Sequence, residues 1–278
     1  MRHPYFRGTL LAAAGLLMAV GMAAPARAVP AGLTKIRHIV VIYQENWSFD
    51  ALYGHFPGAN GIANAKSFVQ RDIHGRPYTV MPRPWNSNAK PPGFDARFPK
   101  NMPAAPYNLA GYIRPLQRTG DLVHRFYTEQ QQIDGGKMDK FVAWSDNPGL
   151  VMSFFDATNM PEGKLAQQYV LADNYFHAAF GGSFLNHMFL ICACAPRFPH
   201  APASMVARLD AHGMPTPDAR PGHSSSGDGA VTPDGYVVNT TYSVNMPHPA
   251  HVPADKLVPN QTMPTIGDRL SAKGISWA

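Results

Sequence analysis

Ile36-Arg37-His38-Ile39-Val40-Val41-Ile42-Tyr43-Gln44-Glu45-Asn46-Trp47-Ser48-Phe49-Asp50 is the stretch on which the fold reading turns. Its apolar run, Ile39 to Tyr43, is rich in β-branched residues and predicts a strand buried on both faces, as in parallel sheets. The run stops at Glu45 and Asn46. Ligands of α/β folds bind at the carboxyl ends of strands. A carboxylate beside a carboxamide there offers two hard oxygen donors to a divalent cation. From spacing alone, a metal site and a plain strand end with a capped turn weigh about equally.

A second stretch, Phe176-His177-Ala178-Ala179-Phe180-Gly181-Gly182-Ser183-Phe184-Leu185-Asn186-His187, leads into an apolar run that ends at Ala195. The glycine pair allows a tight turn and close approach to a ligand. The run from Phe184 to Ala195 is apolar nearly all round and predicts a buried helix. Ser183 would then stand at a helix N-terminus, where free N–H groups and the positive dipole end favour phosphate. Asn186 and His187, three and four residues on, share a face with it. Read without context, Ser183 is more often a simple N-cap.

The chain has 278 residues, 45% of them hydrophobic and 15% charged, with 27 prolines and 24 glycines. That length holds one large α/β domain or two small ones. Residues 1–28 carry three of the 24 basic residues and no acid, so the remainder holds 21 basic against 18 acidic residues, a formal charge of +3. Such a balance, without a Lys/Arg run, argues against a nucleic-acid partner. Arg2 and Arg7, the apolar stretch Leu10–Ala24 and Ala26-Arg27-Ala28 read as a signal peptide cleaved before Val29. A membrane anchor is the alternative, but the run is short and Pro25 interrupts it. No other segment is long and apolar enough to span a membrane, so the mature chain is expected in the periplasm or secreted.

Residues 74–106 contain eight prolines and read as an extended surface excursion. A helix is expected from an Asp121 N-cap to a stop at Asp134-Gly135-Gly136, with His124, Tyr127, Thr128 and Gln131 to one side. Another is expected from Pro161 through Tyr169, then a strand at Val170–Phe176. Residues 197–264 are irregular, with a brief strand-like piece at Tyr236–Tyr242. His248 and His251 read as solvated loop histidines. Asn46-Trp47-Ser48 and Asn239-Thr240-Thr241 match the glycosylation pattern, which is frequent by chance. Cys192 and Cys194 are the only cysteines; so close a spacing is poor for a mutual disulfide, and both read as small buried hydrophobes. Thr265-Ile266-Gly267-Asp268 starts a short helix with a capping box, and Ile275–Ala278 resembles the beginning of a strand.

The segment from Ile36 to Ile62 resembles the opening motif of the bacterial phosphoesterase family that contains phospholipases C and acid phosphatases. The Gly-Gly-Ser-x-x-Asn segment at 181–186 is similar to the same family's nucleophile motif, closest to the acid-phosphatase-like branch. The resemblance covers nearly all of residues 34–278. Trp47 stands where the family more often has Arg. The resemblance implies an alkaline-phosphatase-like three-layer α/β/α sandwich, here incomplete at its C-terminal side, with residues 29–278 forming the N-terminal part of the domain. It implies metal ligation by Glu45, Asn46 and Ser183, nucleophilic attack by Ser183, and a phosphate contact from Asn186. His187 is a further substrate contact or a brace of the helix. His124 is a catalytic candidate near the phosphate or a structural histidine.

The expected activity is metal-dependent hydrolysis of phosphate esters through a phosphoserine, with a divalent ion of unspecified identity. The alternatives are a phospholipase C acting on phospholipid headgroups, and a truncated, silent phosphate or headgroup binder. The family's C-terminal acidic pair and histidines have no counterpart here, and residues 29–278 alone are expected to lack a complete metal site. The signal-peptide reading has a direct test. N-terminal sequencing of the exported protein should begin at Val29, and a chain retained uncleaved in the membrane refutes it.

Overall fold

A computed structural model describes residues 32–45, 47–114, 116–122, 124–215 and 227–278. The signal-peptide segment and Asn46 lie outside the described residues. The chain divides into two units, Met1–Gln44 and Glu45–Ala278. In the first, a single 3-10 turn at Leu33–Lys35 is followed by chain without assigned regular structure. The strand expected at Ile39–Tyr43 is not formed, and Ile39 is 83% exposed. A strand exists only through a ladder to a neighbour. Ile39 to Ile42 have no such partner among the described residues, so their β-propensity is unrealised.

Among the described residues, the second unit mixes short helices with three two-stranded sheets. Helix α1, Phe49–Tyr53, starts where the Ser48 side chain accepts from the Ala51 N–H at 3.2 Å. Strands β1 (Val80–Met81) and β4 (Met102–Pro103) pair antiparallel, as do β2 (Trp85–Asn86) and β3 (Gly93–Phe94). Strand β5 (Tyr107–Asn108) pairs in parallel with β6 (Ser153–Phe154), Tyr107 opposite Ser153. The helices are α2 (Phe126–Ile133), α3 (Pro161–Gln168), α4 (Ser183–Cys192) and α5 (Ile266–Ser271). The α/β character is present; the described residues carry no continuous layered sheet. Among them no helix is long and apolar enough to cross a membrane.

One core gathers Met81, Phe98, Met102, Tyr107, Val142 and Leu150. The proline-rich 74–106 segment is therefore not merely a surface excursion. Its prolines forbid a helix, but short ladders bring Met81, Phe98 and Met102 inside while Trp85 and Phe94 stay exposed. A second core joins Phe198, Met205, Val231, Val237 and Val258. Residues 197–215 and 227–264 are irregular as expected, yet isolated bridges such as Arg197 with Tyr236 and Ser243 with Val258 tie them together.

Several local expectations need correction. Val170–Phe176 forms no strand, and Phe176 is 79% exposed. The helix expected from Asp121 begins only at Phe126, because its cap is supplied from far along the chain. Asn239 Oδ1 accepts from Phe126 N at 2.7 Å, and Asp228 Oδ2 accepts from Thr128 N at 2.8 Å. Its stop is as expected, with Asp134 and Gly135 both in the left-handed region. Cys192 and Cys194 are disulfide-bonded and only partly buried. Ala193, left-handed at the end of α4, turns the chain so that the two Cα atoms lie 5.2 Å apart, inside the usual range for a bridge. Thr265 and Asp268 do form the capping box of α5. Ile275–Ala278 is not a strand; Trp277 instead folds back to donate to Ser271.

Asp228 is a buried carboxylate whose side chain is fully inaccessible. It accepts from Thr128 N, Thr128 Oγ1 and Asn239 Nδ2, each at 2.8 Å, with Arg125 Nε at 4.0 Å. Removing one member of such a set leaves the others buried and unsatisfied. Asp228→Ala should therefore lower unfolding free energy by about 3 kcal/mol, read from the urea midpoint. A loss below about 0.5 kcal/mol, the usual limit for featureless surface sites, contradicts it.

Candidate active site

Helix α4 starts from a turn held by two distant stretches of chain, α2 and the 238–240 segment. The Gly181 N–H donates to Glu129 Oε2 of α2 at 2.8 Å. The Gly182 N–H donates to the Val238 carbonyl at 3.3 Å, and the Phe184 N–H to Thr240 Oγ1 at 3.3 Å. Gly181 has φ +119°, and a Cβ there would come within 2.4 Å of the Val238 carbonyl oxygen. A Cβ on Gly182 would meet Thr240 Oγ1 at 2.5 Å. Both glycines are thus required by close backbone approach.

Ser183 is the first residue of α4, and Gly182 occupies the cap position without a side-chain cap bond. The simple N-cap role considered for Ser183 does not apply. Among the described residues, the N–H groups of Ser183 and Leu185 have no hydrogen-bond partner. Two open donors beside a hydroxyl, at the positive end of a helix, suit the oxygens of a phosphoryl group. The helix is not the buried one expected: Leu185 is inside, but Leu190 and Ile191 are exposed.

Of the site residues expected from sequence, the structure brings Glu45, Ser183, Asn186 and His187 toward one place. His187 Nδ1 lies 2.7 Å from the Ser183 carbonyl oxygen. That oxygen only accepts, so Nδ1 carries the proton in this contact. Glu45 Oε2 lies 3.9 Å from the same Nδ1, linking the start of the second unit to α4. Asn186 folds its Nδ2 back toward the carbonyls of Gly181 and Gly182 at 3.5 and 3.4 Å, bracing the turn. His124 is exposed and stands two residues before α2. Asn46 is not among the described residues.

Among the described residues, no three His, Cys, Asp or Glu side chains converge as metal ligands. Glu45 and His187 form a pair, and Ser183 adds a hydroxyl through the same helix. This donor set does not by itself fit a complete divalent site. His248 and His251 are exposed, as expected of loop histidines. Asn239 is 2% exposed and donates to Asp228 and Gly229, so it is committed to the interior and not a glycan acceptor.

Sequence reasoning missed Glu129, Asp228 and Thr240. Each acts on a residue 52 or more positions away, and no short pattern marks them. Only the match of Asn239-Thr240-Thr241 to a glycosylation pattern drew attention to that segment, for an unrelated reason. Burial pushes the Glu129 carboxyl up to about 7; nearby Asp228 adds to the rise, and the Gly181 N–H opposes it.

The site's electrostatics predict a pH effect. A carboxyl raised in the fold binds more protons there than in the unfolded chain. Stability should therefore fall as pH rises from the ordinary carboxylate range through about 7. Glu129→Gln should flatten that slope. Urea unfolding at pH 5 and pH 8 measures it; an unchanged slope in the variant contradicts the assignment.

The family described as Phosphoesterase matches residues 36–278, nearly the whole of the chain beyond its N-terminal segment. No solved structure matches the chain.

Proposed function

The chain belongs to the phosphoesterase family, and from that premise we propose that it hydrolyses phosphate esters by nucleophilic attack of Ser183. The observation that carries this reading is the Ser183 hydroxyl at the start of α4, beside two open N–H groups, on a glycine turn held by three tertiary hydrogen bonds. Phosphoryl transfer asks mainly for positioning and charge stabilisation. The Ser183 and Leu185 N–H groups bind phosphoryl oxygens, and the helix dipole favours the charge that develops there.

Ser183 Oγ forms the bond to phosphorus as the ester oxygen departs with a proton, giving a phosphoserine and an alcohol. Water then attacks the same phosphorus, releasing inorganic phosphate and restoring the hydroxyl. His187, one turn along α4 and bonded to the Ser183 carbonyl, is the nearest candidate to take the hydroxyl proton, with the Glu45 carboxylate 3.9 Å from its Nδ1. His124 remains a second acid–base candidate. Metal dependence belongs to the proposal as well. A divalent ion would neutralise phosphoryl oxygens, with Glu45, Asn46 and Ser183 among its ligands and its identity open.

The proposed fold is an alkaline-phosphatase-like sandwich, and the proposed location is outside the cytoplasm. The latter is supported by the residue 1–28 pattern and by the Cys192–Cys194 disulfide, a bond of oxidising compartments. The acid-phosphatase-like branch is favoured by the Gly-Gly-Ser motif. One observation favours phospholipase C: Tyr175, Phe176 and Phe180 stand exposed on the segment entering the nucleophile turn. Aromatic rings of this kind suit a lipid interface.

Ser183→Ala should lower phosphatase turnover at least tenfold, about 1.4 kcal/mol of barrier, with the circular dichroism spectrum unchanged. Glu45→Gln should weaken divalent-ion binding in calorimetry. Retention of more than a tenth of wild-type turnover by Ser183→Ala refutes the nucleophile assignment. Chromogenic phosphomonoester and phosphodiester substrates, assayed side by side, separate the two branches.

A further inference from the structure

The half-buried carboxyl group of Glu129 has no part in the chemistry above, yet it reaches directly to the nucleophile turn. We propose that Glu129 is a positioning residue: by accepting the Gly181 N–H, it sets the Gly181-Gly182 turn and so the placement of Ser183. This rests on the reading of Ser183 as the nucleophile.

The geometry carries the inference. Glu129 lies in the first turn of α2, and its Oε2 accepts from Gly181 N at 2.8 Å across 52 residues. Helix α2 is itself fixed at Phe126 and Thr128 by Asn239 and Asp228. The carboxylate therefore reaches Gly181 from a rigid base. Gly181 has a φ of +119°, and a Cβ there would meet Val238 O at 2.4 Å and Phe126 Cβ at 3.6 Å. Glycine takes such a φ at no steric cost, so the backbone alone does not fix the turn and its hydrogen-bond partners must. Of the three N–H groups that anchor the turn, only that of Gly181 is held by a side chain of α2; those of Gly182 and Phe184 are held by the 238–240 segment. Without Glu129, the turn is clamped from one side only.

A purely structural contact would spread its loss over the whole fold. A positioning contact acts on the reacting atom, where a shift of about 1 Å can cost about a hundredfold in rate. What matters here is an acceptor at the reach of a Glu or Gln side chain. Glu129→Gln keeps that acceptor, Glu129→Asp withdraws it by one methylene while keeping the charge, and Glu129→Met removes it.

The test combines kinetics on a chromogenic phosphate ester with amide hydrogen exchange at Gly181 in the full chain. Glu129→Asp and Glu129→Met should lower kcat about tenfold or more, leave KM within about twofold, and speed exchange at Gly181. Glu129→Gln should recover most of both. Should Glu129→Met fail to fold, Glu129→Asp carries the test with the smaller change. Wild-type kcat and exchange in Glu129→Asp overturn the proposal, as does a Glu129→Gln variant as impaired as Glu129→Met. If Ser183→Ala retains turnover, the nucleophile reading falls and the catalytic role of Glu129 falls with it; exchange at Gly181 reports separately whether Glu129 holds the turn.

Discussion

Asp228 is the group on which the architecture of the candidate site depends. Its carboxylate is withdrawn from solvent and is accepted into the interior only because Thr128, Asn239 and Arg125 surround it. A buried ion without such partners would be costly by several kcal/mol. The same bonds fasten the start of α2 to the 228–240 segment. From that junction two arms reach the nucleophile turn: Glu129 along α2, and Val238 with Thr240 along the segment. The placement of Ser183 is thus the end of a chain of polar contacts that begins at a single carboxylate.

This construction explains why so irregular a chain holds a defined turn. The sheets are two residues per strand and cannot supply much stiffness. Order comes instead from two apolar clusters and from side chains that stand in for strand partners. Asn147 is an example: its amide both accepts from Trp85 N and donates to the Trp85 carbonyl, at 3.0 and 2.8 Å. Gln70 does the same for Met138 and Phe141. Polar groups of this kind are effective only when satisfied on every side, which makes them sensitive points in the fold.

At the end of α4 a different constraint operates. Ala193 in the left-handed region closes the helix and brings Cys192 and Cys194 together. Helix α4 therefore has its first residue fixed by glycine contacts and its last by a covalent link. Its outer face remains apolar, with Leu190 and Ile191 exposed, as are Val170, Tyr175 and Phe176 on the segment before it. These residues carry the composition of an interior without its burial.

Local chemistry was legible in the sequence. Pro161 opening α3, the Asp134-Gly135 stop, the Gly-Gly-Ser helix start and the Thr265–Asp268 capping box are each set within a few residues by backbone preferences. The membership of the chain in the phosphoesterase family was legible for the same reason, because its motifs are short and contiguous. What tertiary structure decided was everything requiring distant partners. Ile39–Tyr43 and Val170–Phe176 have strand-like sequences, but a strand needs a neighbour that its own residues cannot provide. The start of α2 moved from Asp121 to Phe126 because its cap comes from Asn239, and the cysteines bonded because Ala193 turned the chain between them. Glu129 became part of the site only when the fold brought it to Gly181, a contact that no local pattern encodes.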